Sequence, residues 1–84
     1  MAGQIARNEK QLGAIVRRAR KHAGLTQEVL GERIHLRQAT LSRLEAGAAA
    51  VQLRTVMAVL SALDLEMVIH PRSKGSPAEI EELF

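Results

Sequence analysis

The segment that most constrains the fold of this chain is TQEVLGERIHLRQATLSRLE, residues 26–45, which has the pattern of two short helices joined by a tight turn. Gly24 can adopt the left-handed conformation that ends a preceding helix, and the hydroxyl of Thr26 can cap the next one. Apolar residues recur in the segment at helical spacing and can meet in one small core: Leu30, Ile34, Leu36, Leu41 and Leu44. We expect helices over residues 27–34 and 38–45. A unit of this size is typical of domains that place a helix end in the DNA major groove, although a helical hairpin without a ligand has a similar pattern.

The second helix of this unit has a polar outer face that suits base edges. At about 100° per residue, Leu41 and Leu44 lie on one side. The opposite arc holds Gln38, Ala39, Ser42 and Arg43. Glutamine can pair with adenine, serine can donate or accept, and an alanine methyl can touch a thymine methyl. A solvated polar face is the alternative interpretation, but the small residues would allow close approach to a groove.

Two residues flank that face. Arg37 stands just before the second helix, from where it can reach a guanine edge or a phosphate. Gln27 begins the first helix, and we expect it to hold a phosphate through its amide and the helix N-terminus.

The strings TQEVLGERI and RQATLSRLE resemble the helix-turn-helix of the Cro/repressor-type (XRE) DNA-binding family. Within that family, RQATLS and LSALDLEMVIH resemble the antitoxins of the HipB type. The resemblance covers roughly residues 10–70 and is most specific at Gln27, at Gly31 and across residues 37–42. It implies a homodimer on double-stranded operator DNA and a HipA-like toxin kinase as a partner.

This chain departs from the family pattern at three places. His35 stands where the inter-helix turn usually has glycine, and a positive φ there would carry a modest cost. Arg37 stands where a serine or threonine often caps the recognition helix, so we expect that cap to be absent. After Glu45 the sequence is AGAAAV instead of a loop with asparagine and proline, which puts phosphate contacts from that loop in doubt.

The charge of the chain is distributed unevenly. The net charge is +3, but residues 1–48 hold nine Lys/Arg and four Glu, whereas residues 49–84 hold three Lys/Arg and five Asp/Glu. The positive half is therefore the half with the two-helix unit, as expected if phosphates are its partner.

Composition argues against several other functions. Phe84 is the single aromatic residue, so stacking on single-stranded nucleic acid is not expected. No apolar run approaches the roughly 18 residues of a membrane helix, and we expect a cytoplasmic, nucleoid-associated bacterial protein without a membrane partner. His22, His35 and His70 lie in separate elements, Ser42 and Ser61 lack a nearby base, and no phosphate-binding glycine loop follows a strand. The sequence thus predicts neither an enzyme nor a cofactor or metal site.

The domain around the two-helix unit is predicted to span residues 9–64, preceded by an arm over residues 1–8. Asn8 can cap a first helix with Gln11 as its reciprocal partner. The charges on the outside of that helix, Lys10, Arg17, Arg18, Arg20 and Lys21, are predicted to form mainly a solvated face. A fourth helix over about 53–63 has an apolar surface wide enough to face both the core and a second subunit.

The sequence LEMVIH then alternates like a strand. A lone strand cannot satisfy its own backbone groups, and no other segment supplies a partner. We therefore predict that residues 65–71 pair with the same strand of a second copy, with Leu65, Met67, Val68 and Ile69 forming the dimer contact. The resemblance also implies such a lid. Residues 72–84 are predicted to be a flexible tail, either passive or a partner-docking segment anchored by Leu83 and Phe84.

The sequence thus predicts an all-α fold: a small, λ-repressor-like helix-turn-helix bundle of four or five helices, with a C-terminal strand that pairs across a dimer. The favoured function is an antitoxin and transcriptional repressor that binds palindromic operator DNA. Two alternatives stay open, namely a phage-type or restriction-controller regulator without a toxin, and a protein-binding module with residual DNA affinity.

Overall fold

Four helices form the ordered framework of the computed structural model, which describes residues 3–72. They are α1 (Glu9–His22), α2 (Gln27–Ile34), α3 (Gln38–Glu45) and α4 (Leu53–Ala62). The predicted bounds of α2 and α3 are confirmed, and α4 ends one residue earlier than expected. Residues 3–72 of the single chain contain no strand, and residues 65–72 have no regular secondary structure. The predicted small all-α helix-turn-helix bundle is confirmed in its four-helix form.

The first two helices begin at the side-chain caps that the sequence predicts. Asn8 Oδ1 accepts the Gln11 backbone N–H at 2.8 Å, and Thr26 Oγ1 accepts the Val29 backbone N–H at 3.1 Å. The Gln11 side chain returns to the backbone N–H of Arg7 at 2.6 Å, one residue before the cap itself. These bonds satisfy amide groups that no helical carbonyl reaches.

All four helices end in the same way. A residue in the left-handed conformation follows each helix: Gly24, His35, Gly47 and Asp64. The next residue along the chain then donates its N–H to the carbonyl five positions earlier, at 3.1, 2.8, 2.9 and 2.8 Å respectively. In three cases that residue is a leucine that packs on the core: Leu25, Leu36 and Leu65. This is a recurrent helix-ending motif, and the apolar contact fixes the direction in which the chain leaves the helix.

The core lies between α3 and its neighbours, because α3 packs against both α1 and α2, and α2 packs against α4. Its buried members are Val16, Leu30, Leu41, Leu44, Val56, Val59 and Leu60. Ile34 and Leu36 pack against this cluster, so the core expected from the two-helix unit is confirmed. Each fully buried side chain of this type stabilises the fold by about 1.5–3 kcal/mol relative to exposure.

Two glycines allow backbones to meet around α3. A Cβ on Gly31 would lie 2.5 Å from the carbonyl oxygen of Leu36, so the turn between α2 and α3 folds directly over this position. A Cβ on Gly13 would overlap the carbonyl oxygen of Leu44 and lie 2.6 Å from that of Glu45. Helix α1 therefore crosses the end of α3 in backbone contact, which holds α3 at the surface in one orientation.

Candidate nucleic-acid interface

The outer face of α3 has the composition that its periodicity predicts. Leu41 and Leu44 are buried, whereas the exposed positions are Gln38, Ala39, Ser42 and Arg43. The predicted exposed arc is thus confirmed, and its contact with bases stays a prediction. Ala39 and Ser42, in the middle of this face, have short side chains. A DNA groove could therefore lie close to the helix backbone there, between the longer Gln38 and Arg43.

Arg37 precedes α3 in an extended conformation, with φ −70° and ψ 144°, and makes no side-chain cap hydrogen bond. The expected absence of a cap is therefore confirmed. The first amide groups of α3 and the exposed guanidinium of Arg37 lie at the same end of the helix as Gln38. Both present positive electrostatic potential, which suits phosphate or a guanine edge.

Gln27 and Gln38 are brought together, although they lie on different helices. Gln38 Nε2 donates to Gln27 Oε1 at 3.5 Å, the long end of the hydrogen-bond range. Gln27 Nε2 in turn donates to Glu45 Oε1 at 3.2 Å. The sequence predicted that Gln27 holds a phosphate, and its amide has one further N–H with which to do so.

A buried ion pair lies behind this contact. Arg20 Nε donates to Glu45 Oε2 at 2.6 Å and Arg20 Nη2 donates to Oε1 at 2.9 Å, with the two side chains only 9% and 4% exposed. Arg20 Nη1 also donates to the carbonyl oxygen of Leu25 at 2.7 Å. The prediction that Arg20 belongs to a solvated face is therefore wrong. The reason is its position four residues after Val16, on the inward side of α1.

The pair is charged at neutral pH. Burial by itself raises the pKa of Glu45, but hydrogen bonds from Arg20 and Gln27, together with the charges of Arg20 and Arg17, bring it below its ordinary value. The hydrogen bond to Glu45 raises the pKa of Arg20 against the opposing effect of desolvation. Glu45 is consequently a carboxylate with hydrogen-bond acceptors only.

Sequence reasoning missed Arg20, Glu45 and Gly13 as residues that position α3, although each carries a signal. Arg20 follows Val16 by four residues and Glu45 follows Leu41 by four, so opposite charges fall on two inward helix faces. Gly13 interrupts a helical pattern, and an isolated glycine there indicates close packing.

The four residues expected at a dimer contact divide into two groups. Leu65 packs against the core of its own chain, whereas Met67, Val68 and Ile69 are exposed, the last two by 71% and 88%. On α4, Leu53 and Met57 are also exposed, as the wide apolar surface of that helix predicts. A shallow groove lined by Met57, Leu65 and Met67 lies between α4 and the segment that follows it.

Part of the chain covered by the predictions lies outside the described residues. The tail and its anchors Leu83 and Phe84 lie outside residues 3–72. Within that range, no cluster of three His, Cys, Asp or Glu side chains could hold a metal ion. None of the helices described there is long and apolar enough to span a bilayer.

Comparisons with known proteins agree with this geometry. A family model described as helix-turn-helix, HTH_3, matches residues 16–69, and no curated protein gives a significant match. Among solved structures, a complex of a singly substituted HipB with an O2 20mer has a TM-score of 0.79 and 28% identity, over 86% of this chain and all of the other. A HipA–HipB–O2–O3 complex has a TM-score of 0.78 and 28% identity, over 84% of this chain and all of the matched one. A HipB–O1–O2 complex has a TM-score of 0.74 and 30% identity, over 80% of this chain and 97% of the other. The resemblance seen in residues 26–45 is confirmed, and the chain belongs to the XRE-type helix-turn-helix family.

Proposed function

We propose that this chain is an antitoxin and transcriptional repressor: a homodimer that binds palindromic operator DNA through α3, represses its own toxin–antitoxin operon and neutralises a HipA-like kinase. The observation that carries the DNA-binding part is the exposed face of α3. Gln38, Ala39 and Ser42 provide an amide, a methyl and a hydroxyl, which are groups that complement base edges. Arg37 and Arg43 add exposed positive charge at the two ends of that face.

The dimer is supported by apolar surface that the single chain leaves exposed. Leu53 and Met57 on α4 and Met67, Val68 and Ile69 after it are all at least 46% exposed. Two copies of the 65–71 segment paired antiparallel would satisfy the backbone groups along the edge that they share and bring exposed apolar side chains of the two copies together. Binding of both α3 helices of such a dimer to successive major grooves requires them to lie about 34 Å apart.

The toxin-binding part is supported by the similar structure of a HipA–HipB–DNA complex. A HipA-like kinase encoded by a neighbouring gene would supply the partner. Co-expression of that kinase with this chain should yield a complex that co-purifies. If the neighbouring gene encodes no kinase, the phage-type or restriction-controller alternative is favoured instead.

Selection of binding sites from a randomised duplex library tests the DNA-binding part. The full chain should enrich a palindromic site, and Gln38→Ala should lose about 1–3 kcal/mol of discrimination at one base pair in each half-site. Arg18→Ala is the matched control, because Arg18 is exposed on α1 and its guanidinium contacts Gln4 at 2.7 Å. That control should weaken binding little, or equally for all sequences. Enrichment of no sequence, or an unchanged preference in Gln38→Ala, would contradict α3 as the base-contacting helix.

A further inference from the structure

A continuous network of hydrogen-bonded polar side chains connects the buried interior to the exposed face of α3. It runs from Arg20 on α1 to Glu45 at the end of α3, from there to Gln27 on α2, and back to Gln38 at the start of α3. The first two members are less than a tenth exposed, Gln27 is half-buried, and Gln38 is exposed. The network therefore joins the buried pair of Arg20 and Glu45 to Gln38, the side chain with which we expect α3 to contact a base.

The hydrogen-bonding chemistry of this network fixes the orientation of the Gln27 and Gln38 side-chain amides. The Glu45 carboxylate has no donor, so the Gln27 group that faces it must be the NH₂. The Gln27 carbonyl oxygen then lies on the other side, where only a donor can approach it favourably. Gln38 meets it with Nε2, and this leaves the Gln38 carbonyl oxygen and one N–H free. That pair of groups matches adenine, which offers an N6 donor and an N7 acceptor in the major groove.

We infer that Arg20 and Glu45 are specificity-positioning residues, which act through Gln27 to fix the donor and acceptor order of Gln38. This inference rests on the proposed DNA-binding function. Without the carboxylate, the Gln27 amide can turn by 180° and present its NH₂ to Gln38. Gln38 then meets it with the carbonyl oxygen, and the group that adenine requires as an acceptor is no longer free.

The role of Arg20 is to hold the carboxylate in one place. Two bonds of 2.6 and 2.9 Å fix both oxygen atoms of Glu45, and the bond to the Leu25 carbonyl fixes the guanidinium in turn. Glu45 Oε1 accepts hydrogen bonds from both Arg20 and Gln27, so this one oxygen connects the ion pair to the two glutamine side chains. Because Gln38 is ordered in the donor and acceptor arrangement that adenine matches, it loses less conformational entropy in that contact than in one that requires its amide to turn.

Two variants interrupt the hydrogen-bond network at different residues and keep the packing volume similar. Gln27→Met removes the relaying amide at a half-buried position. The double variant Arg20→Met with Glu45→Leu replaces the ion pair by apolar side chains, a change that proteins commonly tolerate. Glu32→Gln is the matched control, since it removes one negative charge from an exposed position on α2.

The experiment measures the affinity of each full-length variant for operator duplexes that differ only at the base pair whose preference Gln38→Ala abolishes. Retention of the fold is checked by circular dichroism. We expect both variants to lose about tenfold discrimination at that base pair, with the preferences at other positions and those of Glu32→Gln unchanged. Adding Gln38→Ala to either variant should cause a smaller loss there than Gln38→Ala causes in the parent.

The possible failures are distinguishable. Uniformly weaker binding by both variants, with normal discrimination at the Gln38 base pair, would reduce the ion pair to a structural role and overturn the inference. If only Gln27→Met loses discrimination at the Gln38 base pair, Gln27 positions Gln38 without help from Arg20 and Glu45. If Gln38→Ala itself alters no preference, the proposed function of α3 fails before the variants are compared.

Discussion

The buried pair of Arg20 and Glu45 gives the sharpest prediction about stability. Glu45→Gln keeps the size and shape of the side chain but removes its charge. The Arg20 guanidinium then stays buried without a counter-charge, and its remaining acceptors, the Leu25 carbonyl at 2.7 Å and the amide oxygen of the substituted side chain, are both neutral. The glutamine also places an NH₂ where one of the two carboxylate oxygens accepted a hydrogen bond, so one Arg20 donor faces another donor.

The magnitude follows from the burial of the two side chains, 9% and 4% exposed. Removing one partner of a buried ion pair costs about 3–5 kcal/mol, because the other charge is left uncompensated. A domain of this size has a total unfolding free energy of about 4–13 kcal/mol. At about 4 °C or more per kcal/mol, the midpoint of thermal unfolding should fall by at least about 12 °C. The double variant Arg20→Met with Glu45→Leu should instead lie within about 1 kcal/mol of the parent, or be more stable.

Urea unfolding followed by far-ultraviolet circular dichroism is the suitable assay, because the chain has neither tryptophan nor tyrosine for fluorescence. All variants are compared at one protein concentration, since dimerisation would make stability concentration-dependent. Glu32→Gln on the surface of α2 is the control and should change stability by less than about 0.5 kcal/mol. A Glu45→Gln protein within about 1 kcal/mol of the parent, or a double variant as unstable as the single one, would refute the assigned energetics.

Four further predictions concern acid stability, the crossing of α1 over α3, dimerisation and the C-terminal tail. Because the pKa of Glu45 is lowered on folding, its contribution to the unfolding free energy should be complete above the ordinary value of 4.5 and be lost as the pH falls through the lower folded pKa; acid titrations of the parent and the double variant should differ in that range. Gly13→Ala should lower the unfolding free energy by about 1–3 kcal/mol despite the better helix propensity of alanine, and a higher unfolding free energy in urea would contradict the close crossing of α1 over α3. Light scattering at micromolar concentration should give about twice the chain mass of 9.2 kDa for the parent and a lower mass for Met67→Lys, whereas a monomeric parent would exclude the proposed dimer. Deleting residues 73–84 should weaken capture of a HipA-like kinase without changing dimerisation or operator binding; unchanged kinase binding would place the toxin contacts on residues outside the tail.

The elements of this fold that the sequence predicts are those with local causes. The bounds of α2 and α3 follow from the Thr26 cap, the left-handed residue at position 35 and apolar spacing, all of which act within a few residues. The exposed arc of α3 follows from helical geometry alone, once its buried leucines are identified. These features needed no knowledge of how the helices pack.

The features that sequence analysis misses depend on tertiary placement. Arg20 and Glu45 are separated by 25 positions, and only the crossing of α1 over the end of α3 brings them together. Their spacing from Val16 and Leu41 marks them as inward-facing, but a charged residue at such a position is normally interpreted as surface until its partner is known. Likewise, the approach of Gln38 to Gln27 depends on the angle between α2 and α3, which is set by the turn over Gly31.

The arrangement around Glu45 explains why a small core contains a charged pair at all. Apolar contacts between α1 and α3 would stabilise the domain at least as well, because burying two charges costs solvation energy that their attraction largely offsets. Apolar contacts, however, tolerate small rotations and shifts of one helix along another, whereas two hydrogen bonds of 2.6 and 2.9 Å do not. The pair anchors the C-terminal end of α3, and the Gln27 contact ties its N-terminal end to the same carboxylate through Gln38. A single buried group thus constrains both ends of the eight-residue helix that we expect to enter the groove.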